Sequence, residues 1–212
     1  TESFRGVKVS SITLPDTVEK VGDRAFSGCT LKTLRIDGNP SLGVAVFMSC
    51  MSLESADVQF VTAIPDSMFS GCSSLADVQM SGSIVSVGQE SFRGAGVKAL
   101  VFPGTLKAVG NNAFSECTAL EHVAFTGDLD SMGDNAFSDC TALKKVEIQS
   151  VGSAGVDVFI GCGAVERVYT KDVGSFSFPS ATRVYHDLPE SSADVLIRYD
   201  FGDLDGSCVL FR

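Results

Sequence analysis

Cysteine is the reactive residue with the most regular placement in this chain. Six of its seven cysteines each lie three residues after a phenylalanine: Cys29, Cys50, Cys72, Cys117, Cys140 and Cys162. Zinc sites and redox-active pairs use short spacings such as Cys-x-x-Cys, which the sequence lacks. Ala95 and Val7 hold the same position in two further repeats, which favours packing over ligation. We therefore predict a column of buried thiols acting as small apolar residues, which suggests a reducing or anoxic setting. Cys208 lies outside the pattern and is a candidate reactive thiol.

Other candidates for catalysis are few. The two histidines are His122, on a predicted strand, and His186, just after the last one. A Cys-His pair would need an exposed thiol, whereas the periodic thiols are expected to point inward. No phosphate-binding Gly loop, His-Glu-x-x-His site or Gly-x-Ser-x-Gly elbow is present. Asp203 and Asp205, before Gly206, lack the other ligands of a calcium loop and indicate an Asp-Gly turn. We predict no catalytic residue, no cofactor and no metal.

Composition restricts the partners. The chain has 212 residues, 44% hydrophobic and 20% charged, which predicts a folded protein. Its net charge of −10 argues against nucleic acid, because phosphate backbones need clustered Lys and Arg, and against anionic membrane surfaces. The sequence has no apolar run of about 18 residues for a membrane-inserting helix, and no signal peptide. Because Thr1 is not Met and a repeat begins at once, we expect a processed chain or a piece of a longer protein.

A ladder of phenylalanines determines the architecture. Gaps of 22, 21, 22, 23, 22, 23 and 22 residues separate its members, Phe4, Phe26, Phe47, Phe69, Phe92, Phe114, Phe137 and Phe159. A fixed period in this range is the signature of a solenoid, in which stacked coils bury one continuous core. We predict a stack of about eight coils with strands in parallel register.

Each repeat has three parts, as in AFSECTALEHVAFTG from Ala113. The Phe and Cys lie in a turn begun by a polar residue, such as Asp23 or Asn111, which is predicted to cap a short helix or 3₁₀ turn. The following Leu-x-x-Val-x-Phe pattern predicts a strand with alternate side chains buried. A shorter apolar pair, such as Leu106 and Val109, predicts a second extended segment that closes the coil.

These motifs resemble the BspA-like leucine-rich repeats, the cell-surface type of leucine-rich repeat. The resemblance rests on the AFSxCTALxxVxF block, the Leu14-Pro15 and Phe102-Pro103 dipeptides and the Val-Gly-x-x-Ala-Phe entry to the turns, over about Phe4 to Val184. It implies a right-handed, curved leucine-rich-repeat solenoid of 22-residue coils. A parallel β-sheet would line its concave face, with short strands and 3₁₀ or helical turns elsewhere. It also implies a surface or secreted protein of a host-associated microbe that binds a protein or glycan on a host or microbial surface.

Alternation along the strands places every second residue on the concave face. The early part of that face is acidic and small, whereas the late part gathers cations and tyrosines, a local reversal of sign. Arg and Tyr are enriched in binding hot spots. The predicted partner-binding residues are therefore His122, Lys145, Arg167, Tyr169, Lys171, Arg183 and Tyr185. The alternative is an ordinary solvated sheet face.

Residues 1–186 are predicted to form the solenoid, and residues 187–212 a C-terminal cap or β-hairpin, or the start of a following module. A strand over about 195–201 and a returning strand over 208–211 would cover the end of the core, as terminal solenoid units must. The leading hypothesis is a non-catalytic, monomeric adhesion or protein-binding module that is secreted or at the cell surface. The alternatives are a passive spacer or stalk in a larger surface protein and an intracellular interaction scaffold.

Overall fold

Stacked turns of nearly constant length build the molecule. The computed structural model describes residues 2–80, 84–102 and 104–170, and the backbone of 183–185, 198–200 and 209–211. The chain forms a parallel β-solenoid of about 7 turns of ~22 residues. The prediction of about eight coils is therefore slightly too high, because the eight ladder phenylalanines enclose seven complete intervals.

The strand that follows each Leu-x-x motif lines the concave face. In the first half these strands pair in parallel in the order β1 (Ser11–Leu14), β3 (Thr33–Ile36), β5 (Ser55–Asp57) and β7 (Asp77–Gln79). The second half continues with β9 (Ala99–Phe102), β11 (His122–Met132), β12 (Lys145–Ala154), β13 (Arg167–Thr170) and β14 (Arg183–Tyr185). Within the described residues, β7 and β9 belong to separate sheets.

The predicted second extended segment forms another parallel wall. It comprises β2 (Lys20–Val21), β4 (Ser41–Leu42), β6 (Ala63–Ile64), β8 (Ser86–Val87) and β10 (Leu106–Val109), followed by the later halves of β11 and β12. Strands β11 and β12 thus run through both walls, and a register shift between Phe125 and Asp128 marks the corner.

Within the described residues, two strands follow the solenoid. Strand β15 (Arg198–Asp200) pairs antiparallel with β14, and β16 (Val209–Phe211) pairs antiparallel with β15. These strands fall where the alternating tail predicted them. Whether residues 187–212 serve as a cap or begin another module stays a prediction.

The turn that carries each ladder Phe is not helical, contrary to the prediction, and no helix is assigned in the described ranges. The backbone φ is positive two residues before and after Phe114, at Asn112 (54°) and Glu116 (61°), and the same holds around the other ladder residues. This alternation directs hydrogen bonds alternately between and within coils. The Phe114 N–H donates to Ala136 O of the next coil at 2.7 Å, whereas the Ser115 N–H donates to Asn112 O at 3.1 Å. A helix would direct every N–H within its own coil and would remove the ladder that joins the coils.

The polar residues that begin these turns also join coils instead of capping helices. Asn111 Oδ1 accepts from the Asp134 N–H at 2.9 Å, and Asp23 Oδ1 accepts from the Val44 N–H at 2.9 Å. The coils are so close here that a Cβ on Gly133 would lie 2.5 Å from the Asn111 backbone nitrogen. The glycine before the polar residue is therefore required by close approach between backbones.

The core is a stack of aromatic rings beside a column of thiols. The fully buried ladder rings are Phe47, Phe69, Phe92, Phe114, Phe137 and Phe159. Neighbouring ring centroids are 4.9 Å apart at the tightest pair, Phe114–Phe137, and 6.1 Å at the widest, Phe47–Phe69. At the first coil the ring of Phe4 is 53% exposed.

The predicted thiol column is confirmed, and it has an additional role. The six periodic cysteines are buried. Each thiol donates to the carbonyl of the ladder Phe in the preceding coil at 3.0–3.2 Å, as Cys117 does to Phe92 O and Cys140 to Phe114 O. Burial raises the pKa of Cys72 and raises that of Cys50 to about 12, so these groups are thiols, not thiolates, at neutral pH. Cys208 lies outside the described residues.

Candidate functional site

Parallel register aligns the predicted binding residues in two rows across the late part of the concave face. His122, Lys145, Arg167 and Arg183 are successive Cα partners on β11 to β14. The second row holds Ala124, Glu147, Tyr169 and Tyr185 in the same strand order. Because side chains two residues apart on a strand share a face, the members of both rows on β11 to β13 lie on one surface. We call the five residues His122, Lys145, Glu147, Arg167 and Tyr169 the concave cluster.

Glu147 lies at the centre of the concave cluster. Its Oε2 is 3.0 Å from His122 Nε2, and its Oε1 pairs with Lys145 Nζ. Its side chain is only 15% exposed. Burial by itself would raise the pKa of Glu147, but the hydrogen bonds from Lys145 and His122 outweigh burial and lower that pKa below its usual value. Glu147 is therefore ionised at neutral pH and offsets the charge of Lys145.

The opposite side of Lys145 faces an aromatic ring. Lys145 Nζ lies over the Tyr169 ring, 5.3 Å from its centroid, a distance at which a cation is attracted by the ring quadrupole. Arg167 is the next cation in the row, and its side chain is exposed. No ion pair of Arg167 occurs within the described parts of the chain. Lys145 is thus held from two sides, whereas Arg167 is exposed and forms no ion pair with the described residues.

The early part of the concave face is arranged differently. Its cation, Arg35, forms ion pairs with Asp37, just after β3, and with Asp57 on β5, at 3.7 Å for the latter. Gln79 Nε2 donates to Asp77 Oδ1 at 2.8 Å. These polar groups satisfy one another, so this region resembles a solvated sheet face.

The structure places four of the seven predicted binding residues together: His122, Lys145, Arg167 and Tyr169. For Arg183 and Tyr185 it gives the strand register alone, and Lys171 lies outside the described residues. Glu147 is two residues after Lys145, so strand alternation also puts it on the concave face, but it is not among the predicted binding residues. The signal that could have identified Glu147 was its position in the strand register. It lies opposite Ala124, in the row next to that of His122 and Lys145.

The geometry supports recognition more than chemistry. His122 pairs with Glu147, while the six column thiols are buried behind the sheet. In the described ranges, no three His, Cys, Asp or Glu side chains are grouped to hold a metal ion. The part of the chain that the structure describes also contains no helix long and apolar enough to cross a membrane.

Several solved structures are similar to this chain. A leucine-rich repeat protein from Bacteroides ovatus ATCC 8483 shares 20% identity over 83% of this chain and 62% of its own, with a TM-score of 0.45. The T. pallidum leucine-rich repeat protein shares 19% over 76% of this chain and 58% of its own, with a TM-score of 0.41. A leucine-rich cell surface protein from Faecalibacterium prausnitzii A2-165 shares 18% over 82% and 83%, with a TM-score of 0.33. The chain spans about three fifths of the length of the first two.

None of the curated proteins matches this chain. The family model for the BspA type leucine-rich repeat region matches it in 6 copies, over residues 1–118 and 62–182. These matches include most of the sequence and coincide with the stacked coils described above. The chain therefore belongs to the BspA type leucine-rich repeat family.

Proposed function

We propose that the protein is a non-catalytic binding module that recognises a protein or glycan of a host or microbial surface through its concave face. The observation that carries the proposal is the concave cluster: cations and a tyrosine aligned in register on an open sheet face of a protein with net charge −10. Arg and Tyr are the residues on which binding energy concentrates. Solenoids also use extended concave surfaces for binding.

Adhesion at the cell surface is the setting that the family favours. The BspA type repeat is a cell-surface class of leucine-rich repeat, and one similar structure is named a leucine-rich cell surface protein. We propose a monomeric, surface-bound or secreted module without cofactor. Accessibility of the native protein on intact cells to a membrane-impermeant amine label would test this location, and labelling only after cell lysis would contradict it.

The test of function compares two triple variants of similar design. Lys145, Arg167 and Tyr169 are changed to Ala in the first, which removes two cations and the tyrosine of the concave cluster. Thr33, Arg35 and Asp57 are changed to Ala in the second, which alters the concave face at its other end. All six side chains project from the concave sheet, so both variants should retain the fold by circular dichroism.

Each protein is immobilised and exposed to extracts of host cell surface and extracellular matrix. We expect a partner that the wild type and the second variant retain and the first variant loses. Equal capture by all three proteins would move the site away from the concave cluster. Failure of any protein to capture a partner would favour the spacer function.

A further inference from the structure

We propose that the concave cluster binds the carboxylates of an acidic peptide segment containing apolar residues, and that Glu147 occupies part of this site in the free protein. This inference rests on the proposed function, because it specifies the partner of the same surface. Four observations lead to it: an unbalanced row of cations, the way in which Glu147 is held, the exposed apolar residues of β9, and the contrast with Arg35.

The row of cations is electrostatically incomplete. Lys145, Arg167 and Arg183 are Cα partners on adjacent parallel strands, which lie about 4.8 Å apart. Like charges placed opposite each other destabilise a sheet. Strand β15 places Asp200 as the next register partner, opposite Arg183. Of the side chains that the structure describes, Glu147 is the carboxylate that forms an ion pair with this row, and it contacts Lys145, not Arg167. A carboxylate from outside would relieve the repulsion that remains around Arg167.

Glu147 demonstrates which anion the surface accommodates. Both of its carboxylate oxygens are held by side-chain donors, one by His122 and the other by Lys145. Arg167 adds a planar guanidinium, whose paired donors match the two oxygens of a carboxylate. An incoming carboxylate would bind Arg167 directly and would compete with Glu147 for Lys145. Glu147 therefore reduces the affinity of the free site.

Exposed apolar positions on β9, two strands before Lys145, favour a peptide over an acidic sugar. Val101 and Ala99 are exposed on β9, and Val101 is 47% exposed in the row that continues through Ala124 to Glu147 and Tyr169. An acidic peptide can supply apolar side chains to Val101 and Tyr169 as well as carboxylates to Arg167. An acidic oligosaccharide would lack the apolar side chains. A long polyanion is disfavoured by the protein's own net charge of −10.

The test measures fluorescence anisotropy of a labelled peptide of alternating glutamate and valine at low ionic strength. The wild type should bind this peptide in preference to its lysine–valine counterpart. Arg167→Gln should weaken binding by about two- to fivefold, the size expected for one partly exposed ion pair. Glu147→Gln should strengthen binding by a similar factor, because it frees His122 and Lys145.

Arg35→Gln is the matched control, because it removes the same charge from the concave face at the end where Asp37 and Asp57 already neutralise it. We expect no change in binding. Equal effects of Arg167→Gln and Arg35→Gln, or weaker binding by Glu147→Gln, would overturn the proposal. Tighter binding of a uronic acid oligosaccharide than of the peptide would also overturn it. A partner captured from surface extracts through Lys145, Arg167 and Tyr169 despite weak peptide binding would leave the proposed function intact and reject this inference alone.

Discussion

At the scale of single residues, Ser91 departs from the packing rule of the repeat. It precedes ladder Phe92, a position that Ala113 and Ala136 occupy in the two following coils. Its side chain is fully buried, and its Oγ has no hydrogen-bond partner in the described residues. A buried hydroxyl without a partner loses its hydration without compensation. Ser91 is therefore a local weakness in an otherwise regular core.

We predict that Ser91→Ala stabilises the protein by about 1 kcal/mol, because it removes this uncompensated hydroxyl. Urea unfolding followed by circular dichroism would measure the free energy of unfolding. Ser115→Ala is the matched control: Ser115 is equally buried, but its Oγ donates to Asn112 O at 3.2 Å. Ser115→Ala should not increase the free energy of unfolding. A loss of stability in Ser91→Ala would indicate that the hydroxyl has a partner.

The depressed pKa of Glu147 links the concave cluster to pH. A carboxyl group whose pKa is lower in the folded than in the unfolded protein stabilises the fold above its unfolded pKa. That contribution is lost as the pH falls through the folded value, which here lies below 4.5. The stabilising effect of Glu147 is therefore present at neutral pH and disappears in acid.

We predict that Glu147→Gln melts at a lower temperature than the wild type at pH 7, and that the difference narrows as the pH falls below 4.5, the ordinary value for this group. Thermal melts of both proteins over a pH series would measure this difference in melting temperature. Glu121→Gln provides the comparison, since Glu121 is 57% exposed in its surface pair with Lys144. This substitution should change the melting temperature little. A constant difference at all pH values would contradict the expected titration.

At the scale of elements, the Phe turn combines two separate constraints on glycine. At Gly94 the backbone has φ +65°, yet a Cβ would meet nothing within 4 Å. At Gly133 a Cβ would lie 2.5 Å from the Asn111 backbone nitrogen and 2.7 Å from the Gly110 carbonyl carbon. The first position requires a left-handed conformation, and the second requires space between coils.

We predict that Gly94→Ala costs about 1–2 kcal/mol, the strain of a left-handed residue with a Cβ. Gly133→Ala should cost about 1–3 kcal/mol or more, because backbone atoms must move apart. Denaturant unfolding would give both values. Gly163→Ala, at a glycine with open space and no positive φ, is the control and should be close to neutral. Equal values for all three variants would show that neither constraint operates.

At the scale of the whole molecule, the thiol column runs along the stack and joins six of the coils to the coil before them. In the coil of Phe92, Ala95 stands in place of the thiol. Six thiols repeat the same hydrogen bond to a Phe carbonyl, so the column acts as a structural seam. Burial raises the pKa of Cys50 to about 12. Since the thiolate is the reactive form, the column should resist modification while the stack remains folded.

We predict that a thiol-specific disulfide reagent reacts rapidly with at most one of the seven cysteines of the folded protein, namely Cys208, and with all seven after unfolding. Absorbance of the released chromophore would count the modified thiols. The Cys208→Ser variant should show no rapid reaction. Rapid modification of a column cysteine in that variant would contradict the buried, hydrogen-bonded arrangement.

The sequence alone determined the period, the buried ladder and the two walls of strands. Each depends on a side-chain pattern that repeats within one chain segment: Phe and Cys three apart, and alternate apolar residues in the strand. The position of a residue within its repeat was therefore sufficient to predict burial of Phe114, Cys117 and Val123.

Only the tertiary structure decided what occurs between coils. Asn112 and Glu116 have a left-handed backbone, and their N–H groups bond to the next coil. Asn111 also bonds to the next coil, and the thiols bond to Phe carbonyls of the preceding coil. All of these partners are about 22 residues away in the sequence. The same is true of Glu147, whose bond to His122 spans two strands. A sequence pattern predicts which face a side chain occupies, but the pairing on that face depends on distances that exist only after the coils have stacked.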